Sequence, residues 1–171
     1  MKSFVDTNVL LYAVSHDPTE KAKAKVAREL LLEDDLHLSI QTISEFLANA
    51  IKPRKLGMSR NDAALFARAW EERYKLHPLT VEHLELAHTW FLPGTLSWWD
   101  SLIIASSNLA GCGQIYSEDL HPGAVYGQVK VINPFAALIC LTPPPAREPF
   151  RVEVPPESAA RRAASGRKAR T

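Results

Sequence analysis

The 171-residue chain is 46% hydrophobic and 23% charged, which is enough apolar sequence for a core and too much for disorder throughout. Its formal net charge of +1 divides unevenly, since residues 136–171 carry seven Lys/Arg against three Asp/Glu and residues 1–135 carry thirteen against sixteen. Two cysteines, Cys112 and Cys140, without CxxC or Cys/His spacing, argue against a disulfide framework and a zinc site and fit a reducing compartment. Asp6 and Asn8 interrupt the N-terminal apolar stretch, against a secretory signal, and no uncharged apolar segment approaches the ~20 residues of a membrane helix. A cytoplasmic protein without membrane segments is expected.

"SFV" at residues 3–5 reads as a first strand running directly into a helix around "NVLLYAV". Asp17-Pro18-Thr19-Glu20 reads as a helix start, with a cap and proline at the first helical position. "LHLSI" (36–40) is a second strand, after which Ile43, Phe46, Leu47, Ala50 and Ile51 recur at helical spacing until Pro53 and Gly57. Ala63, Phe66, Ala67, Trp70 and Tyr74 mark another amphipathic helix, and Val81, Leu84, Ala87 and Phe91 a further one. Beyond Pro93-Gly94, "SWWDSLIIASSNLA" is apolar around most of a helix and is expected at the centre of the fold. "GQIYS" and "VKVIN" supply late strands. Short apolar runs alternating with helices predict an α/β fold, a mainly parallel sheet flanked by helices. Past Phe135 the character changes: six of the twelve prolines and "RRAASGRKAR" fall in 136–171, so a folded unit over 1–135 and an extended or disordered basic tail are expected.

Four acids share one kind of position. Asp6 follows strand "SFV", Glu45 lies in the first turn after "LHLSI", Asp100 opens the central helix and Asp119 follows "GQIYS". The carboxyl ends of parallel strands form one edge of the sheet, where sites gather. Acids converging there repel one another without a cation, and oxygen ligands suit Mg²⁺ or Mn²⁺ rather than zinc. Each also has a plain reading. Thr42-x-x-Glu45 and Ser97-x-x-Asp100 match capping boxes, as does Ser59-x-x-Asp62; Asp6 fits a turn or cap, and Asp119 a loop acid. Asp100 lies on a helix with little solvated surface, and no Lys or Arg occurs between Lys75 and Lys130.

Together, "FVDTNVLL", "TISEFLANA", "WWDSLIIASS" and "IYSEDL" resemble the PIN domain over residues 3–135, most closely the VapC-type toxin ribonucleases of toxin–antitoxin pairs. The resemblance implies a three-layer PIN-like fold whose acidic quartet is Asp6, Glu45, Asp100 and Asp119, with Thr7, Asn8 and Ser117 orienting metal or water. It implies a Mg²⁺- or Mn²⁺-dependent endoribonuclease acting on RNA, a type II toxin with a cognate antitoxin protein, and a homodimer. In that chemistry Asp6, Asp100 and Asp119 bind the metal, Glu45 completes the shell or helps deprotonate the attacking water, and in-line attack leaves a 5′-phosphate and a 3′-hydroxyl. A catalytically inactive PIN-like RNA-binding or protein-interaction module is the alternative.

Other chemistries fit poorly. A phosphatase using the first-strand aspartate as nucleophile expects a second aspartate where Asn8 stands. No glycine-rich phosphate loop or G-x-S-x-G elbow occurs, and His83 and His88 miss the spacing of a helical metal pair. Trp70, Trp90, Trp98 and Trp99 either pack in the core, line a groove for a partner or stack on RNA bases. In the tail, Arg161, Arg162, Arg167, Lys168 and Arg170 either solubilise the chain, bind RNA phosphates or meet an acidic part of a partner.

Overall fold

A computed structural model describes residues 1–139. Its core is a six-stranded sheet in the order β3-β2-β1-β4-β6-β5, formed by β1 (Ser3–Val5), β2 (Leu36–Ser39), β3 (Lys75–His77), β4 (Gln114–Tyr116), β5 (Val125–Tyr126) and β6 (Val129–Ile132). All neighbours pair in parallel except the β5/β6 edge, which is antiparallel. Every residue of β1 and β2 is buried, as expected of parallel strands covered on both faces.

Alternation along β1 distributes its side chains between two cores. Val5, with Leu36 and Leu38, joins a cluster built from α1 (Thr7–Val14), α2 (Lys21–Leu30), α3 (Ile40–Ala50) and α4 (Arg60–Arg73). Phe4, with Ile115, Val129 and Val131, packs against Ile103 and Ile104 of α6 (Trp98–Leu109). Ala87 of α5 (Val81–Phe91) meets Leu102 and Ala105 of α6, and the two small alanines let the helices approach. The result is the expected α/β arrangement, a mainly parallel sheet between helical layers. The central position expected for α6 is borne out, with Ser101 through Ser107 all buried.

Several local expectations change. Strand β2 stops at Ser39, and Ile40 opens α3 instead of ending the strand. Asp17 caps a 3₁₀ turn, Pro18–Glu20, that leads into α2. Strands β3 and β5 escaped the sequence reading because three and two residues are too few to display a period. β3 is held by tertiary contacts: His37 Nδ1 lies 2.8 Å from His77 Nε2 with the rings stacked, and the preceding Tyr74 hydroxyl donates to Leu31 O at 2.6 Å. The described unit also runs past Phe135 into α7 (Ala136–Ile139), where Leu138 packs on the first core. The rest of the proposed tail, with Arg161, Arg162, Arg167, Lys168 and Arg170, lies outside the described residues. No described helix is long and apolar enough to cross a membrane.

Candidate functional site

From β1 the sheet grows one way through β2 to β3 and the other way through β4 to β6, so its order reverses between β1 and β4. A crevice opens outside the carboxyl ends of strands at such a reversal. Asp6 stands directly beyond β1, and Ser117, Glu118 and Asp119 directly beyond β4. The amide of Asp6 donates to Tyr116 O at 3.0 Å, which fixes the two strand ends side by side.

Asp6 caps α1, as its plain reading expected, and the same carboxylate also faces the neighbouring acids. One carboxylate oxygen accepts the Thr7 amide at 2.6 Å, while the other accepts Asn8 Nδ2 at 2.9 Å and Ser117 Oγ at 2.7 Å. Burial is the main influence that raises its pKa from 3.8 to about 7. The hydrogen bonds from Ser117 and Thr7 oppose the rise, and the charges of Asp119 and Glu45 add to it. Asn8 Nδ2 also reaches Asp119 Oδ2 at 3.3 Å, and the Ser117 hydroxyl accepts the Asp119 amide at 3.2 Å. The expected supporting residues thus touch the acids: Asn8 and Ser117 link Asp6 to the Asp119 loop, and Thr7 Oγ1 donates to Glu45 Oε2 at 3.1 Å.

Glu45 is not a capping residue. The cap of α3 is Ser39, whose hydroxyl accepts the Thr42 amide at 3.2 Å, so Thr42 lies inside the helix and Glu45 in its second turn rather than its first. The capping box predicted at Thr42 is one turn out of place because the strand ends at Ser39. The second oxygen of Glu45 accepts Gln41 Nε2 at 2.9 Å, and the same nitrogen donates to Trp99 O at 3.0 Å. Gln41 is 4% exposed and joins the two acid-bearing helices, a role invisible in sequence because it depends on α6 arriving beside α3. Asp100 does take part in its cap: Ser97 Oγ accepts its amide at 3.2 Å and donates to its carboxylate at 2.7 Å.

All four acids line one cavity of about 480 Å³, together with Thr7, Asn8 and Tyr12. Arg54 and Lys55 stand in the same wall and were missed by the sequence reading. Their signal was a cationic pair at the end of the Glu45 helix, but only the backward turn after α3 brings them to the acids; Met58 N bonds to Ala50 O at 2.9 Å and Gly57 adopts φ of 57°. Among the described residues no Lys or Arg forms a salt bridge with any of the four acids. Nor does any group of three acidic, histidine or cysteine side chains there stand close enough to enclose a metal ion as arranged. The donor set nevertheless fits a hard divalent cation, since it consists of carboxylate and amide oxygens and includes an acid, Asp6, whose burial calls for a compensating charge. Of the four tryptophans, Trp70 belongs to the core against Phe46, whereas Trp99, beside Asp100, is 61% exposed.

The family described as the PIN domain matches residues 3–126. Solved structures of similar fold include a toxin–antitoxin complex from Klebsiella pneumoniae, 16% identical over 78% of this chain and 98% of that one, with a TM-score of 0.58. Mycobacterium tuberculosis VapC20, described as a toxin that cleaves the sarcin–ricin loop, is 20% identical over 69% and 90% with a TM-score of 0.55. A DNA-bound VapBC from Salmonella typhimurium is 15% identical over 77% and 96% with a TM-score of 0.54. No curated protein matches the chain.

Proposed function

Because the chain belongs to the PIN domain family, we propose that it is a divalent-metal-dependent endoribonuclease and the toxin of a type II toxin–antitoxin pair. The observation that carries this reading is the gathering of Asp6, Glu45, Asp100 and Asp119 around one cavity with no Lys or Arg paired to them among the described residues. A structural neighbour described as a sarcin–ricin-loop-cleaving toxin and another described as a toxin–antitoxin complex support the choice of substrate and partner.

Asp6, Asp100 and Asp119 would hold Mg²⁺ or Mn²⁺, with Glu45 completing the set. When bound, the ion supplies charge neutralisation at the phosphoryl oxygens and a water of lowered pKa. The protein's own part is positional. Ser117 and Asn8 orient the Asp6 carboxylate, while Thr7 and Gln41 hold one Glu45 oxygen each, setting that side chain to accept the proton of the attacking water. Arg54 and Lys55, which line the same cavity as the acids, would contact substrate phosphate. The basic residues Arg161, Arg162, Arg167, Lys168 and Arg170 would add salt-dependent affinity for RNA. A homodimer and a bound antitoxin protein complete the proposal.

The test is cleavage of defined RNAs with Mg²⁺, with EDTA and after Asp6→Asn. Loss of cleavage in both arms is expected; cleavage unaffected by either rejects the metal site. One observation favours the alternative, an inactive PIN-like binding module: the acids as arranged enclose no metal-sized group among the described residues. RNA binding without cleavage, and no heat of Mn²⁺ binding, would establish that alternative instead.

A further inference from the structure

Glu118 lies between Ser117 and Asp119, the two loop residues that touch the acid cluster, yet its own carboxylate is engaged elsewhere. It accepts the Tyr12 hydroxyl at 2.6 Å and forms a salt bridge with Lys23. Lys23 Nζ also reaches the Tyr12 oxygen at 3.0 Å and lies 4.6 Å from the centre of the Tyr12 ring, which packs edge-on against the buried Phe135 at 5.0 Å. The Glu118 amide, 3.4 Å from Asn8 Oδ1, meets the same face of α1, because Asn8 and Tyr12 are four residues apart. One residue of the loop is therefore gripped through backbone and side chain by two helices.

Asp119 has little else to hold it. It is exposed, and its carboxylate takes one side-chain hydrogen bond among the described residues, the 3.3 Å contact from Asn8. A carboxylate so weakly tethered takes its place from the loop that bears it. Glu118 is also a fifth acid at the cluster's edge, and Lys23 neutralises it there. The Lys23–Glu118 side chains are 32% and 20% exposed, shielded enough for the pair to act as a defined contact. Burial, the largest influence on Lys23, works to lower its pKa, but the hydrogen bonds to Glu118 and Tyr12 outweigh it and the ammonium sits above its ordinary range.

We propose that Tyr12, Lys23 and Glu118 are positioning residues, a latch tying the Ser117–Asp119 loop to α1 and α2 so that Asp119 stays beside Asn8 and Asp6, available to share a divalent cation with Asp6. The inference rests on the metal-dependent reading of the site. It concerns how this chain places one acid, and none of the three residues need touch the ion.

The test uses full-length Glu118→Ala, Glu118→Gln and Lys23→Arg proteins. Calorimetric titration with Mn²⁺ alone is expected to show affinity about tenfold weaker in Glu118→Ala, as for other residues that orient metal ligands, and near wild type in Lys23→Arg. On RNA, kcat should fall by about tenfold with KM within about twofold, because the latch acts on the reacting geometry and not on strand binding. Amide exchange at residues 117–119 should quicken by about tenfold in Glu118→Ala, since the loop opens more readily. Should Glu118→Ala fail to fold, Glu118→Gln, which keeps the Tyr12 contact and loses the ion pair, carries the same comparisons. A fall in melting temperature with Mn²⁺ affinity, kcat and loop exchange all unchanged would overturn the latch. A wild-type protein that neither binds Mn²⁺ nor cleaves RNA defeats the nuclease reading; loop exchange then decides the latch alone, and unchanged exchange overturns it.

Discussion

Asp6 carries two jobs that pull in opposite directions. As the α1 cap it accepts a helix amide, and as a partly buried acid among acids it has its pKa pushed up from 3.8 to about 7. The folded state therefore holds this proton more tightly than the unfolded chain does. Stability is unaffected below about pH 4, declines as pH rises towards 7 and levels off above it, a loss of roughly 4 kcal/mol for the metal-free protein if the whole shift is realised. Asp6→Asn removes that ionisation, so at pH 8 the metal-free variant should melt at or above the wild type, while at pH 5 it should show no such advantage. Mn²⁺ should raise the wild-type melting temperature at pH 8 and leave the variant unmoved, and the apparent Mn²⁺ affinity of the wild type should climb with pH to about 7, where the competing proton is gone. A metal affinity flat from pH 5 to 8 would show that Asp6 is not a ligand. The residue itself stands out in sequence as a charge in apolar surroundings; its elevated pKa does not, because that depends first on burial in the folded chain and then on Asp119 and Glu45 arriving from distant segments.

Helix α3 shows how an element boundary decides a residue's role. With Thr42 as cap, Glu45 would serve the helix end; with Ser39 as cap, Glu45 is released to the cavity. Ser39→Ala should cost about 1 kcal/mol in urea unfolding, the usual value of such a cap. Glu45→Gln should alter that stability by no more than about 0.5 kcal/mol while sharply reducing RNA cleavage, since it breaks no capping bond. Gln41→Leu severs the strut between Glu45 and the Trp99 carbonyl, and a fall in kcat of about tenfold is expected, with urea unfolding as the control for stability. Long helices were legible from apolar spacing because a 3.6-residue period repeats several times in ten or more residues. The exact strand end was not, because β-branched and polar residues at 39–42 suit either state and the choice lies with β2 pairing to β1 and β3.

At the scale of the molecule, the proposed nuclease role would require a mildly acidic domain to hold a polyanion, and Arg54 and Lys55 are cations in its cavity wall. Replacing both with Ala should raise KM for RNA several-fold and flatten the logarithmic salt dependence by roughly one to two, with kcat little changed. A salt slope identical to wild type would remove them from the substrate path. Deletion of residues 142–171 should weaken RNA binding chiefly at low salt and leave the unfolding of the PIN domain unchanged, which a salt series and a melting curve would check together. The sequence by itself determined the α/β pattern and the central helix and singled out the four acids that line one cavity, because these rest on local periodicity and on residue types that are costly to place without a reason. Tertiary structure decided which of those acids are also caps, brought β3 and β5 into the sheet, and set Gln41, Arg54, Lys55 and the Tyr12–Lys23–Glu118 network beside the site. Those roles depend on contacts between residues tens of positions apart, formed only when the sheet order reverses between β1 and β4 and draws their ends together.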